Sequence, residues 1–179
     1  LLPEIALTRE IRSLSIATAL ALAAAVLAGS TVRAGLLDAA RDGRVVMVPS
    51  GDPAMTAAFA KARASLDGFL ARLASSSPGA EGYAIKIPIG DRGEVEYFWL
   101  IDLTQNGDKL SGVVNNRPET VRNVEKGQTI AFRKSDVVDW MYFDKGKMIG
   151  NFTACAMLSK ESVQTRASFR REYGLDCGN

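Results

Sequence analysis

Residues 83–114 read YAIKIPIGDRGEVEYFWLIDLTQNGDKLSGVV, and this stretch decides the fold. Tyr83, Ile85 and Ile87 alternate with Ala84 and Lys86, the period of two expected of a strand. Asp91-Arg92-Gly93 supplies a turn. Beyond it Val95, Tyr97, Trp99, Ile101 and Leu103 alternate with Glu96, Phe98, Leu100 and Asp102. Phe98 and Leu100 make this second run apolar on both faces, which predicts a central strand. Asn106-Gly107 is a strong hairpin signal, since both residues tolerate the positive φ of a tight turn, and it leads into a third strand from Lys109 to Val114. Strands joined by turns this short favour antiparallel pairing.

Toward the N-terminus the period changes to that of a helix. Asp52-Pro53 places an N-cap before a proline suited to the first helical turn. Met55, Phe59, Ala62, Leu66, Phe69, Leu70 and Leu73 follow at spacings of three and four, with Lys61, Arg63 and Arg72 outside that stripe. The pattern predicts an amphipathic helix of about 20 residues, stopped by Ser75-Ser76-Ser77-Pro78-Gly79.

Toward the C-terminus, Asn115-Asn116-Arg117-Pro118 breaks the third strand, and Glu125-Lys126-Gly127 turns into a short strand from Gln128 to Phe132. Asp136 precedes a strand from Val137 to Phe143. After the Asp144-Lys145-Gly146 turn, a long strand from Lys147 to Leu158 is expected. Ser159 then caps a final helix over 160–173, with Val163, Ala167, Phe169 or Arg170, and Tyr173 facing inward and Gly174 as its stop. The predicted class is α+β: an N-terminal amphipathic helix, a curved antiparallel sheet of about six strands and a C-terminal helix, the helices packed on one face.

At 179 residues the chain has room for one ordinary domain and an appendage. The domain is expected over 52–179, behind a lead-in segment at 35–51 with the apolar run Val45-Val46-Met47-Val48. Residues 13–29, SLSIATALALAAAVLAG, carry no charge; Arg9 and Arg12 precede them and Val32-Arg33-Ala34 follows. A basic region, an apolar core and small residues at the A-x-A-like positions describe a signal peptide over 1–34, cleaved after Ala34, and a periplasmic or secreted product. The alternative is an uncleaved anchor, the one route by which this chain would meet a membrane.

Twenty-two Lys and Arg against 20 Asp and Glu leave a net charge of +2, which makes no electrostatic case for nucleic acid or an anionic membrane. The chain has no histidine, so neither a Ser-His-Asp nor a Cys-His nucleophile can be assembled, nor a His-ligated metal site. Two cysteines are too few for a Cys-only zinc site within one chain. Chemistry is left to carboxylates, Lys, Tyr or an unpaired Cys, and no cofactor and no metal site is expected. In an oxidising compartment Cys155 and Cys177 are expected to pair.

Several of these residues together resemble a known family. Asp52-Pro53 with Met55, Ala58 and Ala62, then Lys86, Glu96-Tyr97-Phe98-Trp99, Gly112, Asn116-Arg117-Pro118, Gly127, Asp139-Trp140-Met141, Gly146 and Gly150-Asn151-Phe152-Thr153 are similar to the YegJ-like bacterial domain of unknown function (DUF2314), over roughly residues 52–158. The resemblance implies a fold unit and a bacterial source and carries no activity.

The candidate binding residues are Asn115, Asn116 and Arg117, in an apparent exposed loop with donors and acceptors for a polar partner, together with Trp140 and Asp139. Trp99 and Trp140 sit among apolar neighbours, where a core role competes with an aromatic platform for a sugar or peptide. Asp136 and Asp139 flank Val137-Val138 and form no obvious carboxylate pair. With no catalytic constellation, the expected function is an exported binding module for a protein or cell-envelope component. An immunity or inhibitor protein and a carboxylate-dependent hydrolase are the alternatives.

Overall fold

The computed structural model describes residues 51–75 and 77–178; the expected export segment and the apolar run at 45–48 lie outside them. Helix α1 (Pro53–Ala74) starts as its sequence dictates, with Asp52 Oδ1 accepting from the amides of Ala54 at 2.9 Å and Met55 at 3.2 Å. Six strands follow: β1 (Ala80–Asp91), β2 (Glu94–Asn106), β3 (Lys109–Val114), β4 (Thr129–Arg133), β5 (Asp139–Asp144) and β6 (Lys147–Gly150). They form one antiparallel sheet in the order β4-β3-β2-β1-β5-β6. β2 is interior, as its two apolar faces require, and Phe98 and Leu100 are fully buried.

Register separates the two faces of the sheet. Ile85 pairs with Leu100 on one side and Trp140 on the other, so these three side chains share a face. Ala62, Leu66, Phe69 and Leu70 of α1 pack there in the main hydrophobic core. Trp140 is fixed by its indole Nε1, which donates to the Ala62 carbonyl at 3.0 Å, and by Phe69 stacked 5.0 Å away. The opposite face, one residue on, carries Trp99, Lys86 and Asp139 in a row.

The C-terminal third departs from expectation. The strand from Lys147 ends at Gly150, and residues Phe152–Leu158 form helix α2. Gly150 (φ 88°) and Asn151 (φ 51°) turn the chain out of the extended region. A Cβ on Gly150 would lie 2.7 Å from Trp140 Cε3, so only glycine fits. Asn151 N donates to the Trp140 carbonyl at 2.8 Å, anchoring that corner to β5. Cys155 is therefore helical. Helix α3 (Val163–Tyr173) is capped by Ser162, whose Oγ accepts from Thr165 N at 3.1 Å. Ser159 instead closes α2, its hydroxyl donating to the Ala156 carbonyl at 2.7 Å. Phe169 is the buried residue of α3, whereas Val163 faces solvent, and Gly174 ends the helix in the left-handed conformation as expected. β5 starts at Asp139, two residues later than predicted, after a 3₁₀ turn at Lys134–Asp136.

Candidate functional site

The row Trp99, Lys86 and Asp139 runs across the three central strands β2, β1 and β5. The Lys86 ammonium lies 4.5 Å from the Trp99 ring centroid and donates to Thr153 Oγ1 at 2.7 Å. A hydroxyl has one proton, and that of Thr153 goes to Asp139 Oδ2 at 2.6 Å. Asp139 is fully buried and accepts three further bonds: from Trp140 N (2.9 Å) and Phe152 N (3.1 Å) on Oδ1, and from Thr153 N (2.8 Å) on Oδ2. It thus caps α2 from a distant strand.

Burial lowers the Lys86 amine to about 8, against the pull of Asp139. Burial likewise raises the Asp139 carboxyl above its ordinary value, opposed by Lys86 and by the bonds from Thr153 and Trp140. With four donors on its two oxygens, the carboxylate has its lone pairs engaged. Thr153 is 3% exposed and its hydroxyl is held between an ammonium and a carboxylate, so this constellation joins β1, β5 and α2 and leaves the Thr153 hydroxyl fully engaged.

The second constellation organises the connection from β3 to β4. Residues 115–128 lie between Val114 and Thr129 and contain no helix or strand. At its start the Asn115 amide donates to the Trp99 carbonyl (2.9 Å), and Asn116 Oδ1 accepts from Trp99 N (2.9 Å), prolonging the β2–β3 ladder with a side chain. Further along, the buried carboxylate of Glu96 accepts from the amides of Glu119, Thr120 and Val121 at 3.0–3.3 Å and from the Thr120 hydroxyl. Arg122 N donates to Asp91 Oδ2 at 2.9 Å and Asn123 Nδ2 to the Gly90 carbonyl at 2.9 Å. Val121 and Val124 enter the core. The loop is pinned at both ends of its length, and Arg117, Glu119, Thr120, Arg122 and Asn123 are exposed.

The five candidate binding residues fall in three places. Asn115 and Arg117 are exposed on the loop. Asn116 is 3% exposed, a correction to its reading as a surface group, because its amide is spent on the β2 backbone. Trp140 packs against α1, and Asp139 belongs to the buried row. Glu96, Asp136 and Asp139 do not converge: Glu96 holds the loop, Asp136 Oδ2 accepts from Arg133 N at 2.9 Å, and Asp139 caps α2. Sequence reasoning missed the Lys86–Thr153 contact and the role of Glu96. The signal was a charged residue inside each apolar strand run, at IKI and VEY.

Cys155 and Cys177 form the bridge expected of them, with Cα atoms 5.3 Å apart. Beside it lies a cleft of about 320 Å³ lined by Ala57, Lys61, Met148, Phe152 and both cysteines.

Residues 52–177 match the family described as "Uncharacterized protein conserved in bacteria (DUF2314)". Among curated proteins, the chain is 36% identical to "Uncharacterized protein YegJ" of Escherichia coli strain K12 over 122 residues, 66% of this chain and 78% of that protein. It is 32% identical over 99 residues to a "Putative ankyrin repeat protein" of Neisseria meningitidis serogroup B, covering 53% of this chain and 39% of that protein. No solved structure matches. The matched region runs from the Asp52 cap of α1 to the cysteine that closes the tail, and the chain belongs to the DUF2314 family conserved in bacteria.

Proposed function

We propose that this protein is an exported, non-catalytic interaction module that binds a protein or cell-envelope component through the loop at 115–128. One observation carries this reading. A long connection without secondary structure is held by Asn116, Thr120 and Asn123 from within and by Glu96 and Asp91 from the strands, while Arg117, Glu119 and Arg122 are exposed. Long ordered loops in compact domains are usually functional. Fixing the loop in advance also reduces the ordering cost of binding. Arg117 and Arg122 supply planar, multidentate donors, and Arg is enriched at the energetic centres of interfaces.

The engagement of Asp139 and Glu96 by internal donors weighs against hydrolysis by these carboxylates. The name of the Neisseria relative mentions ankyrin repeats, a stacked scaffold that presents binding surfaces, and a related stretch within such a protein suits an interaction role. Export is supported by residues 9–34 and by the cysteine pair.

The test is site-specific photo-crosslinking in cells. A photo-reactive side chain at Arg122 is expected to trap one partner, whereas the same group at Asp67, exposed on α1, traps none. Equal trapping at both positions, or none at Arg122, Arg117 and Glu119, removes the loop as the binding surface. For export, the mature product is expected in the osmotic-shock fraction with its N-terminus near Gly35; residues 13–29 still attached would place it with anchored proteins.

A further inference from the structure

Residues 159–178 are lightly attached to the rest of the domain. Among the described residues, none of the main hydrophobic core lies beyond Phe152. Helix α3 buries Phe169, and Leu175 is buried after it. The covalent attachment is the bridge from Cys155 on α2 to Cys177 in the tail.

Between those anchors the tail runs against the β5–β6 hairpin. Gly174 (φ 65°) lies so close that a Cβ there would meet the Gly146 carbonyl oxygen at 2.8 Å, Lys147 Cα at 2.9 Å and Met148 N at 3.4 Å. Asp144 opposite Lys147 closes this two-residue hairpin, and Phe143 opposite Met148 is the next pair. The closing pair exchanges the ladder hydrogen bonds, so the backbone N–H and C=O of Met148 point away from β5, toward the free side of the sheet's last strand. The tail thus lies on the open edge of β6, the kind of edge that proteins cover to prevent pairing with another chain.

We propose that the Cys155–Cys177 bridge is a redox latch: closed, it holds α3 and the tail over the edge of β6, and reduction releases them while the sheet and α1 stay folded. Cys177 is exposed and Cys155 half-buried beside the open cleft, so a dithiol reductant has access. Its thiolate attacks Cys177 Sγ, Cys155 leaves as the thiolate, and the second thiol resolves the mixed disulfide. Two protein thiols form and the reductant becomes a disulfide, a balanced two-electron exchange. Residues 159–178 then keep the buried Phe169 and Leu175, the Lys160–Asp52 ion pair and the packing of Gly174 on the hairpin, a small non-covalent attachment of the kind that permits local opening.

Hydrogen exchange read by mass spectrometry on the oxidised, dithiothreitol-reduced and re-oxidised protein tests the latch. On reduction the amides of Val163–Tyr173 and of Met148 are expected to exchange at least about tenfold faster, with β1–β3 unchanged and protection restored by re-oxidation. The double variant Cys155→Ser/Cys177→Ser, which cannot re-form the bridge, is expected to match the reduced protein. Exchange of α3 that stays within a factor of about two on reduction would make the bridge a passive staple and overturn the proposal. So would acceleration of β1–β3 together with α3, which would make the domain one cooperative unit.

Discussion

Replacing Asp139 by Asn tests the buried row most severely. The carboxylate accepts two bonds on each oxygen, so an amide placed there must turn its NH₂ toward donors: Trp140 N and Phe152 N in one orientation, Thr153 N and Oγ1 in the other. Each loss of a bond to a charged group costs about 1.5–3 kcal/mol. Removing the carboxylate also takes a nearby counter-charge from Lys86, which is half-buried and bonds to Thr153, not to Asp139 itself. This second effect is the smaller, because Lys86, with its amine already lowered to about 8, can shed its proton. With two such bonds lost, the expected destabilisation by Asp139→Asn is about 3–5 kcal/mol. Lys86→Met removes the cation but leaves the four donors on Asp139, and is expected to cost less. The double variant is expected to lose less than the sum of the singles by about 1 kcal/mol or more, as for residues sharing one network. Urea unfolding followed by tryptophan fluorescence, with unchanged m values, measures all three. An Asp139→Asn midpoint equivalent to less than about 1 kcal/mol of loss would refute the view that this row fastens α2 to the sheet.

Lys86 also predicts a pH dependence. Its folded-state value of about 8 lies below the ordinary 10.5, so between these pH values the unfolded chain binds more protons and stability rises with pH; this contribution is lost as pH falls through about 8. The stability of wild type relative to Lys86→Met should accordingly increase from pH 7.5 to 9.5, as two urea titrations would read; a constant difference contradicts the assignment. Gly150→Ala, which sets a Cβ against the Trp140 ring at a positive φ, is expected to cost about 3 kcal/mol or to prevent folding, and a near-native melting temperature would show that the corner can relax. Glu96→Gln keeps one acceptor oxygen and turns an NH₂ toward the loop amides; a loss of about 2 kcal/mol with faster exchange at residues 119–121 is expected, and unchanged exchange would show that the loop is held by other contacts.

The first half of the domain was legible because its determinants are local. Asp52-Pro53, the two-residue turns and the double-sided apolarity of β2 each act over a few residues, and α1, β1, β2 and β3 appear there, with the β2–β3 turn one residue later than Asn106-Gly107, at Gly107-Asp108 between the paired Asn106 and Lys109. Past Lys147 the deciding contacts are distant. The turn at Gly150-Asn151 is imposed by the Trp140 ring and carbonyl, and without that knowledge Met148, Phe152 and Ala154 read as a continuing strand. The site was hidden for the same reason. Asn116 resembles a surface turn residue until the Trp99 backbone is seen to donate to it, and Asp139 resembles a strand-end carboxylate until α2 supplies its donors. Lys86 and Glu96 were visible as charges within apolar strands, but their partners lie 67 and 23–25 residues away. Asn116→Ala would damage the fold as well as any surface, which leaves Arg117 as the cleaner probe of recognition.

The central claim, recognition through a pre-set loop, is tested most directly by quantitative capture of the partner trapped at Arg122, using wild type and Arg117→Ala side by side. An exposed loop side chain with no internal hydrogen bond should leave the melting temperature unchanged, corresponding to less than about 0.5 kcal/mol. If Arg117 is an interface anchor, affinity falls about tenfold or more. That loss at native stability is the predicted result; full capture by Arg117→Ala, repeated with Arg122→Ala, would contradict the account.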